Sequence, residues 1–302
     1  MKSIRIGTRN SALALWQARE VARHLQNSNY LTEITPIVSS GDKNLSQPLY
    51  SLGITGVFTR DLDVALLNDE IDIAVHSLKD VPTQLPGKVE MIAYLERDYP
   101  QDVLIRRKSA KDKEFHELKL ATSSLRRRAF WSKQYPDTEF FDIRGNIQTR
   151  LQKLEEQDFD ATILSLAGIK RMKMDINYAM LPIMIPAASQ GVICVVGHSD
   201  KPEINEILKS INHKQTQICV EMERNFLSTL EGGCTAPIGA FAEKIENQIR
   251  FKGALCSLDG KNYIAIDESF EYNEEENFGE KFANIVLENG GRELMAEIKS
   301  QL

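Results

Sequence analysis

Over roughly the first 200 residues the chain alternates apolar runs of strand length with amphipathic stretches, an order that restricts it to an α/β architecture with largely parallel strands. The run "SIRIGT" opens the series. A helix near Ala12 to Leu25, the run "EITPIVSS", a helix near Thr59 to Leu67 and the run "IDIAVHS" continue it. In the first helix Leu15, Ala18, Val21, Ala22 and Leu25 share one face, and Asn10 or Ser11 stands where an N-cap belongs.

The same grammar then recurs. "IRIGTRNSALALWQ" is echoed by "LKLATSSLRRRAFW" (Leu118 to Trp131), and "NDEIDIAVHSLKD" by "EQDFDATILSLAG", which ends at Gly168. The echo predicts two similar α/β domains facing each other. Ligands of open α/β sheets sit at the carboxyl ends of strands, so such a pair encloses a cleft. After Asn212 a long helix (about Lys214 to Leu230) precedes three strand-like segments, "APIGAFAE", "QIRFKGALCS" and "NYIAIDESF". A final helix over about Glu276 to Ser300 completes a small α+β domain.

The most apolar stretch, "YAMLPIMIPAASQGVICVVG" (Tyr178 to Gly197), is too interrupted to span a membrane, because Pro182, Pro186, Ser189, Gln190 and Gly191 would leave backbone groups unpaired in lipid. A buried strand, a loop and a second buried strand fit it better. "GDKNLSQPLYSLGITG" (Gly41 to Gly56) has the Gly, Pro, Ser and Asn content of a mobile loop. The 302 residues allow two or three cores, and the net charge of −6 argues against a general nucleic-acid surface. Four cysteines without C-x-x-C spacing, and a start without a signal-peptide core, predict free thiols in a reducing cytoplasm. The absence of coiled-coil heptads favours a monomer.

Chemistry concentrates where arginines collect. If Ser123 or Ser124 caps the helix in "TSSLRRRAF", then Arg126, Arg127 and Arg128 fall in its first turns, where the helix dipole disfavours cations by about 0.3–1 kcal/mol each. Something anionic should offset that cost, and guanidinium forks beside free helix N–H groups make a carboxylate or phosphate receptor. "DIRGNIQTRL" adds Arg144 at a strand end and Arg150 in the next helix, with Gly145 permitting close approach, and Arg9 sits at the corresponding strand end of the first domain. Opposite them "AVHSLKDVP" crowds His76, Ser77, Lys79 and Asp80 behind an apolar strand, with Asp80 the candidate acid, base or cation stabiliser. Five histidines show no metal-ligand spacing, so no metal is expected.

A single cysteine, Cys234, follows Glu231, Gly232 and Gly233 at the expected end of the long helix. A helix C-terminus and a carboxylate both disfavour a thiolate, so Cys234 suits either a small buried hydrophobe or a thiol that attacks once, and attacks something intrinsically electrophilic. A non-catalytic module closing around a dicarboxylate would explain the arginines but not Cys234 with Asp80. A cysteine hydrolase with His76 as base conflicts with the thiol's surroundings.

Taken together, "TRNSALALWQA", "HSLKDVP", "TSSLRRR", "RGNIQTRL", "LAGIKR", "PAASQG" and "LEGGCTAPIGA" resemble the porphobilinogen deaminase (hydroxymethylbilane synthase) family along essentially the whole chain. The resemblance implies two periplasmic-binding-protein-like α/β domains flanking a cleft, residues 1–97 with 192–211 and residues 98–191, plus an α+β domain over 212–302. It implies a dipyrromethane cofactor held through a thioether to Cys234, onto which four porphobilinogen molecules are joined head to tail with loss of ammonia before water releases the linear tetrapyrrole.

By the same resemblance Asp80, Arg9, Arg144 and Arg150 are catalytic, Asp80 steadying the cationic azafulvenium. Lys79, Ser77, Asp80, Thr122, Ser123 and Ser124 contact the cofactor, together with Arg126, Arg127, Arg144 and Gly145. Arg9, Ser11, Phe58, Arg150, Arg171 and Gln190 contact substrate. Two departures stand out. The family commonly reads G-x-G-K-G-L-F where this chain has "GITGVF" (Gly53 to Phe58), and G-Q-G followed by an acidic residue where "SQGVICVVG" offers Ser189 and no such carboxylate.

Overall fold

The computed structural model describes residues 3–38, 59–230 and 236–302. The expected mobile loop, Phe58 and the "GITGVF" departure, and Cys234 with Glu231, Gly232 and Gly233, lie outside the described residues.

The first stretch of chain gives β1 (Ile4–Arg9), α1 (Ala12–Asn27), β2 (Thr32–Ile37), α2 (Arg60–Leu67), β3 (Ile73–Ser77) and β4 (Val89–Tyr94). The next gives β5 (Asp102–Arg106), β6 (Leu120–Ala121), α3 (Leu125–Ser132), β7 (Phe140–Phe141), α4 (Ile147–Glu156), β8 (Ala161–Ser165), α5 (Leu166–Arg171) and β9 (Ala179–Met180). β10 (Ile193–His198) and α6 (Pro202–Lys209) lead to α7 (Lys214–Thr229), β11 (Ile238–Ile245), β12 (Gln248–Cys256), β13 (Tyr263–Glu271), α8 (Phe278–Val286) and α9 (Arg292–Gln301).

Ser11 starts α1 by accepting the Ala14 N–H, and the helix buries Ala14, Gln17, Ala18, Val21, Ala22 and Leu25, the i, i+3, i+4 stripe that an apolar sheet face requires. Two five-stranded sheets share one plan. The first is ordered β2-β1-β3-β10-β4 and the second β7-β6-β8-β5-β9. In the first, β1 runs parallel to β2 and β3, with Ile6 opposite Ile73, whereas β10 runs antiparallel to β3 and β4. In the second, β6 runs parallel to β7 and β8, and β5 runs antiparallel to β8 and β9. The expectation of largely parallel strands is therefore corrected by one reversed strand per sheet. Those reversed strands are the ones that arrive from the other unit: β5 follows β4, and β10 follows β9. A strand entering from the cleft side must run against neighbours whose carboxyl ends point into the cleft.

The two connections between units lie side by side. Leu95 N–H donates to Ile193 O at 3.0 Å and Asp98 N–H to Gly191 O at 3.0 Å. The third unit is an antiparallel β11-β12-β13 sheet packed against α7 and α8, with Phe226, Phe251 and Phe282 in contact at its centre. It touches both connections through one carboxylate: fully buried Glu223 of α7 accepts from Arg97 Nη2 at 2.7 Å, from Ser189 N–H at 2.6 Å and from Ala242 N–H at 2.7 Å.

Two further expectations need correction. The single C-terminal helix is two helices, broken where Gly290 takes φ 97°. The buried strand expected ahead of Pro182 is only the two-residue β9, and Met180 is exposed. No helix among the described residues is long and apolar enough to cross a membrane.

Candidate active site

Asp80 ends the short helical turn Leu78–Asp80 that follows β3, at the carboxyl end of a parallel strand. Three parts of the chain fix that turn. Gln17 Nε2 from α1 donates to Ser77 Oγ at 2.7 Å, and Leu78 N–H donates to Val192 O at 2.9 Å. From α7, Arg224 donates Nη1 to Val81 O at 3.1 Å and Nη2 to Pro82 O at 2.5 Å. Lys79 reaches out of the turn, its Nζ donating to Gln190 Oε1 at 3.2 Å.

The second sheet supplies the cations. Ser124, not Ser123, caps α3 by accepting the Arg127 N–H at 3.4 Å, while Ser123 Oγ bridges to the backbone of Ile143. Thr122 Oγ1 accepts the Ser124 N–H, so these polar side chains shape the loop after β6. After β7, Gly145 adopts φ 116°, a conformation a side chain would strain, and its carbonyl accepts Arg150 Nε at 2.8 Å.

The anion that offsets the arginines of α3 is built into the chain. Asp102, at the start of β5, accepts Arg127 Nη2 at 2.8 Å and Nε at 3.1 Å on Oδ1, and its Oδ2 lies 2.7 Å from Arg126 Nη1 in an ion contact without hydrogen-bond alignment. Gln190, fully buried, donates to Asp102 Oδ1 at 3.1 Å and to Pro100 O at 2.6 Å. Burial works against the Asp102 charge, yet Arg126 and Arg127 hold its carboxyl far below the usual range. Arg128, by contrast, pairs with Asp142 at 2.7 Å on the outer side.

The two sides of the cleft act on each other electrostatically. Burial brings Lys79 down to about 8; Asp80 and Asp102 oppose that shift, and Arg127 and Arg126 reinforce it. Burial lowers Arg150 to about 10, with Arg127 and Arg144 in the same direction and Asp80 against. His76 is buried and driven down to about 4, first by burial and then by Arg9, so its imidazole is neutral near pH 7. Asp80, Asp102, Lys79, Arg126, Arg127, Arg150 and Arg144 thus form one charge cluster with a cationic excess, suited to carboxylates, in which Asp102 is taken up by Arg126 and Arg127 and Asp80 faces them from the Lys79 turn.

Other expected site residues have duties within the chain. Ser11 caps α1, and Ser77 is held by Gln17. Arg171 pairs with Asp98 at 2.8 Å and donates to Gly191 O at 2.7 Å, so its guanidinium is taken up by the connections between units. Sequence reading missed Asp102, Glu223 and Arg224. Asp102 carried one faint signal, an acid opening the apolar run "DVLIRR"; the other two sit among ordinary helical charges. A cavity of about 630 Å³ beside Arg97, Ile185, Cys219 and Phe241 is separate from this cluster.

Residues 4–206 match the family model described as porphobilinogen deaminase, dipyromethane cofactor binding domain, and residues 217–288 match the model of the porphobilinogen deaminase C-terminal domain. A porphobilinogen deaminase of Syntrophomonas wolfei is 39% identical, covering 99% of this chain and 100% of its own. One from Desulfitobacterium hafniense is 41% identical, covering 100% and 99%. A probable porphobilinogen deaminase of Methanocaldococcus jannaschii is 46% identical over 85% of this chain and 89% of its own.

Proposed function

The chain belongs to the porphobilinogen deaminase family, and from that premise we propose how its residues divide the work. It is an enzyme of tetrapyrrole biosynthesis that deaminates porphobilinogen, joins four units head to tail on a dipyrromethane primer and releases hydroxymethylbilane. The primer, when bound, supplies the pyrrole carbon to which each new unit is joined.

The donor set fits such a group. Each pyrrole ring brings two carboxylates, and the cluster offers Lys79, Arg126, Arg127, Arg144 and Arg150 on both sides of the cleft. Arg126, Arg127 and Lys79 bind carboxylates of the cofactor and of the units added to it, with Ser77, Thr122, Ser123, Ser124 and Gly145 shaping its bed. Arg9, Arg144 and Arg150 hold the incoming substrate and assist proton transfer, beside Ser11, Phe58, Arg171 and Gln190. The Asp80 carboxylate accepts pyrrole N–H groups and stabilises the cationic centre that develops as ammonia leaves.

Cys234 is the attachment point. Support comes from the other thiols: burial pushes Cys194 to about 12, Cys219 to about 11 and Cys256 to about 12, leaving each a packed apolar side chain. The chain divides into residues 1–97 with 192–211, residues 98–191 and residues 212–302, a division supported by the membership of the three sheets. The protein acts as a cytoplasmic monomer on a small molecule, without nucleic acid or membrane.

The observation that carries the site assignment is the meeting, through Gln190, of the Lys79–Asp80 turn with Asp102 and the two arginines it holds in the facing unit. Purified protein should consume porphobilinogen with release of one ammonia each, and its intact mass should exceed the bare chain by one dipyrromethane. Cofactor-loaded protein that leaves porphobilinogen unchanged overturns the reading.

A further inference from the structure

Three cations, Lys79, Arg126 and Arg127, stand close together with Asp102 as the buried anion that touches both arginines. Like charges gathered out of water repel strongly, and a buried guanidinium is tolerated only when paired. We infer that Asp102 is a positioning residue: with Gln190 as its bridge to Lys79, it fixes the three cations as one rigid receptor for carboxylates and supplies the charge that lets them coexist.

The hydrogen bonds are ordered to do this. Arg127 spends Nε and Nη2 on Asp102 and Nη1 on Ile163 O at 2.8 Å. Arg126 is fastened only at Nη1, by Ile185 O at 2.7 Å and the Asp102 contact, so among the described residues its Nε and Nη2 edge has no acceptor and is left to a ligand. Gln190 carries the register across the cleft, because one amide donates to Asp102 and accepts from Lys79. Lys79 therefore faces Asp80 on its own turn, Arg126 and Arg127 from α3, and Asp102 from β5. Neutralising Asp102 leaves two guanidiniums acting on Lys79 with only Asp80 opposing them.

The kinetic part of the test rests on the deaminase reading, whereas the lysine titration does not. In the purified protein carrying 13C-labelled lysine, the Lys79 signal, identified by its loss in Lys79→Gln, should titrate about one pH unit lower in Asp102→Asn than in the parent. Asp102→Glu should restore part of that shift, and Asp102→Asn should raise KM for porphobilinogen about tenfold or more than it lowers kcat. A folded Asp102→Asn protein that fails to load cofactor also supports the inference, since loading uses the same cations. If Asp102→Asn does not fold, the charge-balanced Asp102→Asn/Arg127→Met protein takes its place, and its KM should still rise about tenfold because Arg126 has lost its anchor. An unmoved Lys79 midpoint in Asp102→Asn, or a parental KM in either variant, overturns it. Normal titration shifts in a protein without deaminase activity would instead sink the functional reading alone.

Discussion

Lys79 Nζ lies 3.2 Å from Gln190 Oε1, which ties the residue beside Asp80 to the second of the two connections between the α/β units. The bond joins catalytic geometry to unit geometry, because Gln190 also donates to Pro100 O in the first connection. Any motion that separates the units must either carry the Lys79 turn with it or break that bond.

The charge on Lys79 gives the first prediction. Its ammonium titrates near 8 because burial penalises the charged form, against an ordinary value of 10.5. A carboxylate-bearing substrate should therefore bind less well as pH rises through about 8, with KM increasing and kcat less affected. Stability should move the other way: between the folded value and 10.5 the unfolded chain holds more protons at this position, so this group adds stability as pH rises across that window. Lys79→Arg keeps its charge, so its KM should stay level where the parent's climbs. Parallel KM profiles for the two proteins would discard the assignment.

Asp80→Ala removes the one carboxylate that faces the cationic cluster from the Lys79 turn. The turn itself is held by Gln17, Val192 and Arg224, none of which bonds the Asp80 side chain, so folding should persist. Turnover should fall about 10²–10³-fold, the usual loss when a preorganised electrostatic group is removed. Steady-state rates within about twofold of the parent, alongside unchanged thermal unfolding, would rule out its role.

How far the sequence discloses this arrangement depends on the range of each interaction. Helix starts are local, so the caps could be read from the chain to within one residue, as Asn10 or Ser11 and Ser123 or Ser124, and the repeated grammar announced two alike sheets. Reversal of β5 and β10 was not legible, because strand direction follows from which unit the chain enters from, not from the apolar pattern of "DVLIR" or "ICVVGH". The arginines of α3 were legible as cations needing an anion, but the partner was expected to be a ligand alone. Asp102 lies 25 residues from Arg127, and no spacing rule links them. Glu223 shows the same limit. It accepts the Ser189 N–H from 34 residues away, and no spacing rule links the two.

Ser189 carries a stability prediction. It sits at φ 66°, in the left-handed region, fully buried, with its Oγ unpaired among the described residues. The backbone conformation costs a non-glycine residue about 1–2 kcal/mol, and an unsatisfied buried hydroxyl about 1–3 kcal/mol. Glycine would relieve both while adding about 1 kcal/mol of unfolded-state entropy. Ser189→Gly should thus stabilise by about 1 kcal/mol or more in denaturant unfolding, and Ser189→Ala by less, since it relieves only the hydroxyl. A destabilised Ser189→Gly would mean that the hydroxyl has a partner or the turn has another role.

Cys234→Ser tests the cofactor anchor. Leu230 and Ala236, which precede and follow Cys234 in sequence, are both packed in the third unit's core. The loss of one thiol there should leave folding intact while the purified protein shows the mass of the bare chain. Cys194→Ser, Cys219→Ser and Cys256→Ser should each retain the dipyrromethane mass, because all three thiols are buried and held protonated by that burial. Their cost should fall on stability instead, as a smaller and more polar hydroxyl replaces a buried, packed sulfur. Peptide mapping of the active protein decides between the four positions. An adduct on any cysteine but Cys234, or turnover by protein that carries none, defeats the assignment.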